Sequence, residues 1–168
     1  MNYFELYNIP ESFHIDKDLL IHRLNEATEQ ETTEESSAKE TKELSLLMQK
    51  AFTILADRHK RTGYILSIHD LLNEGAKPQL DSDFLSAVMN LEVQLMQVDD
   101  AQKLAEITSQ TLELNDELNN QLKHLTADYE QLNDTAKENR LTAIADIYYK
   151  QKYLLRIKES LDTFAARF

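Results

Sequence analysis

Apolar side chains return every three or four residues along most of this chain, the period of a helix that buries one face. Asp16 stands where an N-cap would open a helix from about Lys17 into the low thirties, with Leu20, Leu24 and Ala27 along one side. A second helix carries Leu44, Leu47, Ala51 and Leu55 as its apolar face, and the two are expected to pack antiparallel as a hairpin. Between them, from Glu29 to Lys42, the residues are almost all Glu, Thr, Ser, Lys and Ala. Without a large apolar anchor this stretch is predicted to be a solvated loop. Asn73 to Gln79 holds Gly75 and Pro78, which both oppose a continuing helix, so a linker is expected there.

Three longer helices are expected after the linker. Asp81 or Ser82 can cap the first, whose Phe84, Val88, Leu91, Leu95 and Val98 form one apolar seam. The second opens near Asp99 and Asp100 and carries a seam from Leu104 through Ile107, Thr111, Leu114, Leu118, Leu122, Leu125 and Tyr129 to Leu132. The third carries Ile147, Leu154, Ile157, Leu161, Phe164 and Phe168. Helices of this kind pack as an antiparallel bundle. The expected fold is all-α, with a hairpin domain over residues 1–75 and a three-helix bundle over 76–168.

Composition agrees, since the 168 residues include only two glycines and two prolines, and 42% are hydrophobic, enough for a buried core. A net charge of -12 with no basic stripe opposes nucleic-acid binding and points to protein partners. No cysteine is present, so neither a disulfide nor thiolate ligation of zinc or an iron-sulfur cluster is open to this chain. The N-terminus lacks a basic segment followed by an apolar run, and no stretch approaches a membrane span, so a cytoplasmic protein without membrane contact is expected.

No catalytic constellation can be assembled. The five histidines are scattered without metal-ligand spacing, and the acidic cluster Glu29, Glu31, Glu34 and Glu35 lacks the glycine and Asp/Asn alternation of a calcium loop. Glycines only at 63 and 75 cannot build a phosphate loop. No enzyme activity, no metal and no cofactor are expected. A second stripe lies beside the seam of the first bundle helix, made of Leu85, Met89, Val93 and Met96. A helix with two stripes is either wedged between two neighbours or keeps one stripe for a partner, and the pattern leaves both open.

Two stretches resemble the HscB family of J-domain co-chaperones, which serve iron-sulfur cluster assembly. The opening Tyr3-Phe4-Glu5-Leu6-Tyr7-Asn8-Ile9-Pro10 resembles the start of those proteins, and Arg58 to His69 is similar to their Pro-x-x-Arg-Ala-x-Tyr-Leu-Leu-x-Leu-His run, departing from it at Arg58, where the family has proline, and at Gly63, where it has alanine. The resemblance implies a J-like hairpin joined to a C-terminal bundle in an L-shaped arrangement. It also implies a DnaK-type (HscA-like) chaperone and an IscU-like scaffold, or another client, as partners.

Two features oppose activation of a DnaK-type ATPase. The family's His-Pro-Asp tripeptide is replaced by Thr32, Thr33 and Glu34. Between Asp18 and Ala38 the basic docking face is replaced by six carboxylates and a single basic residue, Arg23, so like charges would meet at that interface. For the scaffold, the resemblance points to Leu85, Met89 and Tyr153, with Asn90 and Val93 standing where the family commonly has glutamate and Ser86 where it has methionine. The expected function is a co-chaperone or scaffold-binding adaptor acting by protein contacts. The alternative is a structural or oligomerising helical protein, suggested by the long seam from Leu104 to Leu132.

Overall fold

The computed structural model describes residues 1–33, 38–72 and 79–168, with the backbone alone for residues 30–33 and 38. The described residues form seven α-helices and no strand. They divide into two compact units, Met1–Asn73 and Glu74–Phe168.

The first unit is built on its opening segment. α1, Tyr3–Leu6, is held by a capping box between Asn2 and Glu5, and it drives Phe4 and Tyr7 into the core. The Tyr7 hydroxyl donates to the Met48 carbonyl at 2.8 Å. Asn8 then takes a left-handed φ of 51°, which asparagine tolerates, and turns the chain so that the Ile9 amide reaches the Phe4 carbonyl. α2 spans Lys17–Thr33, with the Asp16 carboxylate accepting from the Asp18 amide, and α3 spans Ala38–Leu55.

Two expectations are corrected here. α2 runs to Thr33, into the low thirties as expected, but residues 38–42 are helical rather than a loop, because Glu, Lys and Ala favour helix even where nothing large is buried. On α3 the buried side is Ser45, Met48, Ala51 and Leu55, while Leu44 and Leu47 stay exposed. The Tyr7–Met48 contact turns that side inward. Opposite, α2 offers only Leu20, Leu24 and Ala27, too little to cover the two leucines. Glu34 and Glu35, and Gly75 and Pro78 of the expected linker, lie outside the described residues.

α4, Arg58–Ile68, begins behind the Asp57 cap. Arg58 therefore occupies the first helical position, where proline is well suited, and replacing proline there changes no interior bond. Arg61 is the buried cation of this unit: Nε and Nη2 donate to the Phe13 carbonyl at 3.1 and 2.8 Å, and Nη1 donates to the Leu55 carbonyl at the end of α3. Burial and the neighbouring Arg58 push its pKa down, while Asp57 pushes it up. Tyr64 stacks on Tyr3 with ring centroids 4.5 Å apart, and its hydroxyl oxygen accepts from the Tyr3 amide at 2.9 Å. The two stretches that carry the family resemblance thus meet in one core.

The second unit is a bundle of α5 (Ser82–Met96), α6 (Ala101–Thr126) and α7 (Asp134–Ala165), capped by Asp81, Asp100 and Asn133. Phe84, Val88, Leu91 and Leu95 are buried as expected, and Val98 is half-buried. The second seam is interrupted. α6 ends at Thr126, and Tyr129–Gln131 form a separate 3-10 turn. Arg140 of α7 seals that end, with Nη1 donating to the Leu125 carbonyl at 2.8 Å and to Asp128 at 2.7 Å. Phe168, expected in the third seam, is exposed beyond the end of α7.

α6 and α7 run antiparallel. In their contact Gln151 Nε2 donates to Asn119 Oδ1 at 2.8 Å, a polar pair that fixes register because a slipped pairing would strand the buried amide of Gln151. The apolar residues Leu104, Ile107, Leu118 and Leu122 face the interior of this unit.

Candidate protein-interaction surface

α5 is amphipathic in an unusual way, because the residues that leave its core face are also apolar. Leu85 is 38% exposed, Met89 63%, Val93 50% and Met96 82%. Their spacing of four, four and three puts them on one face. The two-stripe ambiguity is thereby resolved in favour of exposure. A cluster of apolar side chains held in water by a packed helix is the kind of surface that a partner covers.

The position of Tyr153 follows from the bundle. A hydrogen bond from Gln94 to Gln110 marks α5 as antiparallel to α6, and α6 is antiparallel to α7, so α5 runs parallel to α7. Lys150 of α7 pairs with Asp81 at the start of α5 and with Asp146 at 3.2 Å, and lies over the Phe84 ring. Leu85 is one turn after Asp81, and Tyr153 is nearly one turn after Lys150. This ion pair sets Leu85 and Tyr153 at similar heights along the parallel helices α5 and α7. The Lys150 hydrogen bond and the Phe84 amide hold the Asp81 carboxyl below its ordinary range. Burial presses Lys150 down, but its two carboxylates outweigh this and raise it.

Tyr153 is half-buried, and the Arg156 guanidinium lies over its ring at 5.6 Å from the centroid. Sequence reasoning passed over Arg156, although its spacing of three from Tyr153 on one helix was the available signal. Asn90 is exposed on α5 beside Met89, so the flank where the family has acidic residues is uncharged at Asn90 and Val93.

In the first unit the other group of candidate residues has a different fate. Thr32 and Thr33 fall on the last turn of α2, and Glu34 lies outside the described residues. Arg23, the lone basic residue of the segment, has Nη1 3.5 Å from Glu26 of the same helix, and His22 also faces Glu26 at 3.4 Å. Among the described residues no group of His, Cys, Asp and Glu forms a metal-holding cluster, and no helix is long and apolar enough to cross a membrane.

The chain is similar to several known proteins. Residues 80–162 match the model of the HSCB C-terminal oligomerisation domain. Over 178 aligned residues the chain is 26% identical to the co-chaperone protein HscB of Proteus mirabilis (strain HI4320), covering 99% of this chain and 97% of that protein. The fold is similar to the crystal structure of human co-chaperone protein HscB, with a TM-score of 0.75 at 19% identity over all of this chain and 84% of that one. It is also similar to chaperone HscB from Vibrio cholerae, with a TM-score of 0.58 at 20% identity over 99% of each chain.

Proposed function

We propose that the chain is a member of the HscB family of co-chaperones, as its C-terminal domain match and its full-length relative support, and that it serves iron-sulfur cluster assembly as a scaffold-binding adaptor in the cytoplasm. It acts by protein contacts and performs no chemistry of its own. The exposed α5 stripe is the observation that carries this reading, because a stable bundle has no structural use for Met89 and Met96 in water. Leu85, Met89, Asn90, Val93 and Tyr153 receive an IscU-type scaffold. The J-like unit keeps its shape but not its switch, since the whole sequence contains no His-Pro-Asp and its α2 is acidic. Docking of that unit on the acidic surface of a DnaK-type ATPase is electrostatically opposed.

The test is calorimetric titration of the host's IscU-type scaffold into wild-type protein and into Met89→Glu. Binding is expected to weaken by about tenfold or more, as for a truncated interface anchor, with an unchanged circular-dichroism melt. Equal affinity for both proteins would remove the site, and a lost melt would return Met89 to the core. Self-association is a second reading, favoured by the oligomerisation role in the description of the matched domain. A strictly monomeric sedimentation profile at high concentration would exclude it.

A further inference from the structure

The apolar stripe of α5 is only half of the proposed surface, and the other half is charged. On α7, Tyr149, Lys152, Tyr153 and Arg156 follow one another at spacings of three, one and three, which puts them on a single face. Lys152 and Arg156 are exposed. Each lies over a tyrosine of its own helix, Lys152 over Tyr148 at 5.8 Å and Arg156 over Tyr153 at 5.6 Å. Neither forms an ion pair among the described residues, in contrast to Lys150 on the same helix, which holds two carboxylates. The nearest acidic groups leave them open. Glu159 is one turn on from Arg156 and makes no ion pair with it. In the register set by Asp81 and Lys150, Glu92 of α5 is level with Leu161, about 7 Å further along the axis at 1.5 Å per residue.

An arginine resting on a half-buried tyrosine, on a bundle that also exposes leucine and methionine, has the composition of a binding hot spot. The ring holds the guanidinium, so little side-chain entropy remains to be lost when a carboxylate arrives. Beside Met89 the exposed Ser86, Asn90 and Val93 carry no charge, and Glu92, on the Asp81 side of α5, forms no ion pair among the described residues. In a chain of net charge -12 these two cations form a local island that acts only within a Debye length of about 8 Å.

Taking the proposed scaffold-binding face as its premise, we infer that the partner presents an apolar patch edged by an Asp or Glu carboxylate, gripped by Arg156 with Lys152 as the second cation. Recognition then depends on an acidic group of the partner rather than a basic one.

The test measures the affinity of full-length wild type, Met89→Glu, Arg156→Gln, Arg156→Glu and Lys152→Glu for the IscU-type scaffold, between 0.05 and 0.5 M NaCl. Arg156→Glu is expected to weaken binding by about tenfold at low salt, and Arg156→Gln by about threefold, in the range of charged interface contacts. Wild-type affinity should fall with salt more steeply than that of Arg156→Glu. If Met89→Glu weakens binding while both Arg156 variants bind as well as wild type or better, the face stands and the acidic partner is overturned. If the scaffold fails to bind wild type, or binds Met89→Glu as tightly, the face itself is wrong and the inference falls with it.

Discussion

The two units keep different parts of one inheritance. In the first, what survives is packing: Phe4 and Tyr7 fill the core, Tyr64 stacks on Tyr3, and Arg61 ties the carbonyls of Phe13 and Leu55 together. Its exposed α2 carries Asp18, Glu26 and Glu29, with no His-Pro-Asp beyond them. In the second unit the core is equally regular, yet the exposed side of α5 has stayed apolar at Leu85, Met89, Val93 and Met96. Residues that hold a shape cannot change without unfolding it, whereas surface residues change at little thermodynamic cost. A motif match made of core residues therefore reports the shape, and an apolar surface without a structural purpose is the place to look for a partner.

The strongest way to break this contrast is Arg61→Met. Losing a buried guanidinium that satisfies two carbonyls should cost the first unit about 3 kcal/mol, because the orphaned acceptors stay desolvated. Urea unfolding followed by hydrogen exchange of α4 would measure it, and a loss below about 1 kcal/mol would make Arg61 a surface residue in energetic terms. In the second unit Met89→Glu should shift stability by less than about 0.5 kcal/mol, as expected for an exposed position, while its scaffold affinity falls.

A smaller effect sharpens the first half. Tyr7→Phe removes the hydroxyl bond to Met48 and should cost about 1 kcal/mol. Burial pushes the Tyr7 phenol up to about 12 from its ordinary value of 10.0. The folded state holds this proton more tightly than the unfolded chain, so the associated stability is complete below pH 10 and is lost as pH rises towards 12. Alkaline denaturation curves of wild type and Tyr7→Phe should converge across that window. Parallel curves would show that Tyr7 ionises freely.

Much of the fold was legible because it depends on local period and caps. The α5 seam and its Asp81 cap needed only the spacing of Phe84, Val88, Leu91 and Leu95. Three features were not legible. Residues 38–42 lack a large apolar anchor, which signals solvation and was read as loop, although Lys, Glu and Ala are good helix formers. The apolar period of α6 runs past Thr126, but its backbone stops where Arg140, distant in sequence, takes the Leu125 carbonyl. Leu44 and Leu47 obey the helical period and are exposed, because burial depends on what α2 brings opposite.

The surface itself was half legible. Period alone could not say whether the second stripe of α5 faces water or a neighbouring helix, since that depends on how the bundle packs around it. The pairing of Arg156 with Tyr153 needed the same helix face to be seen exposed.

The most direct test of a kept shape without its switch is the ATPase rate of the host's DnaK-type chaperones, each with its scaffold, with and without this protein. The account predicts scaffold binding by wild type and no stimulation of any chaperone. Stimulation that survives Thr32→Ala and Thr33→Ala would contradict it, because the ATPase would then be driven by a surface other than the tripeptide position.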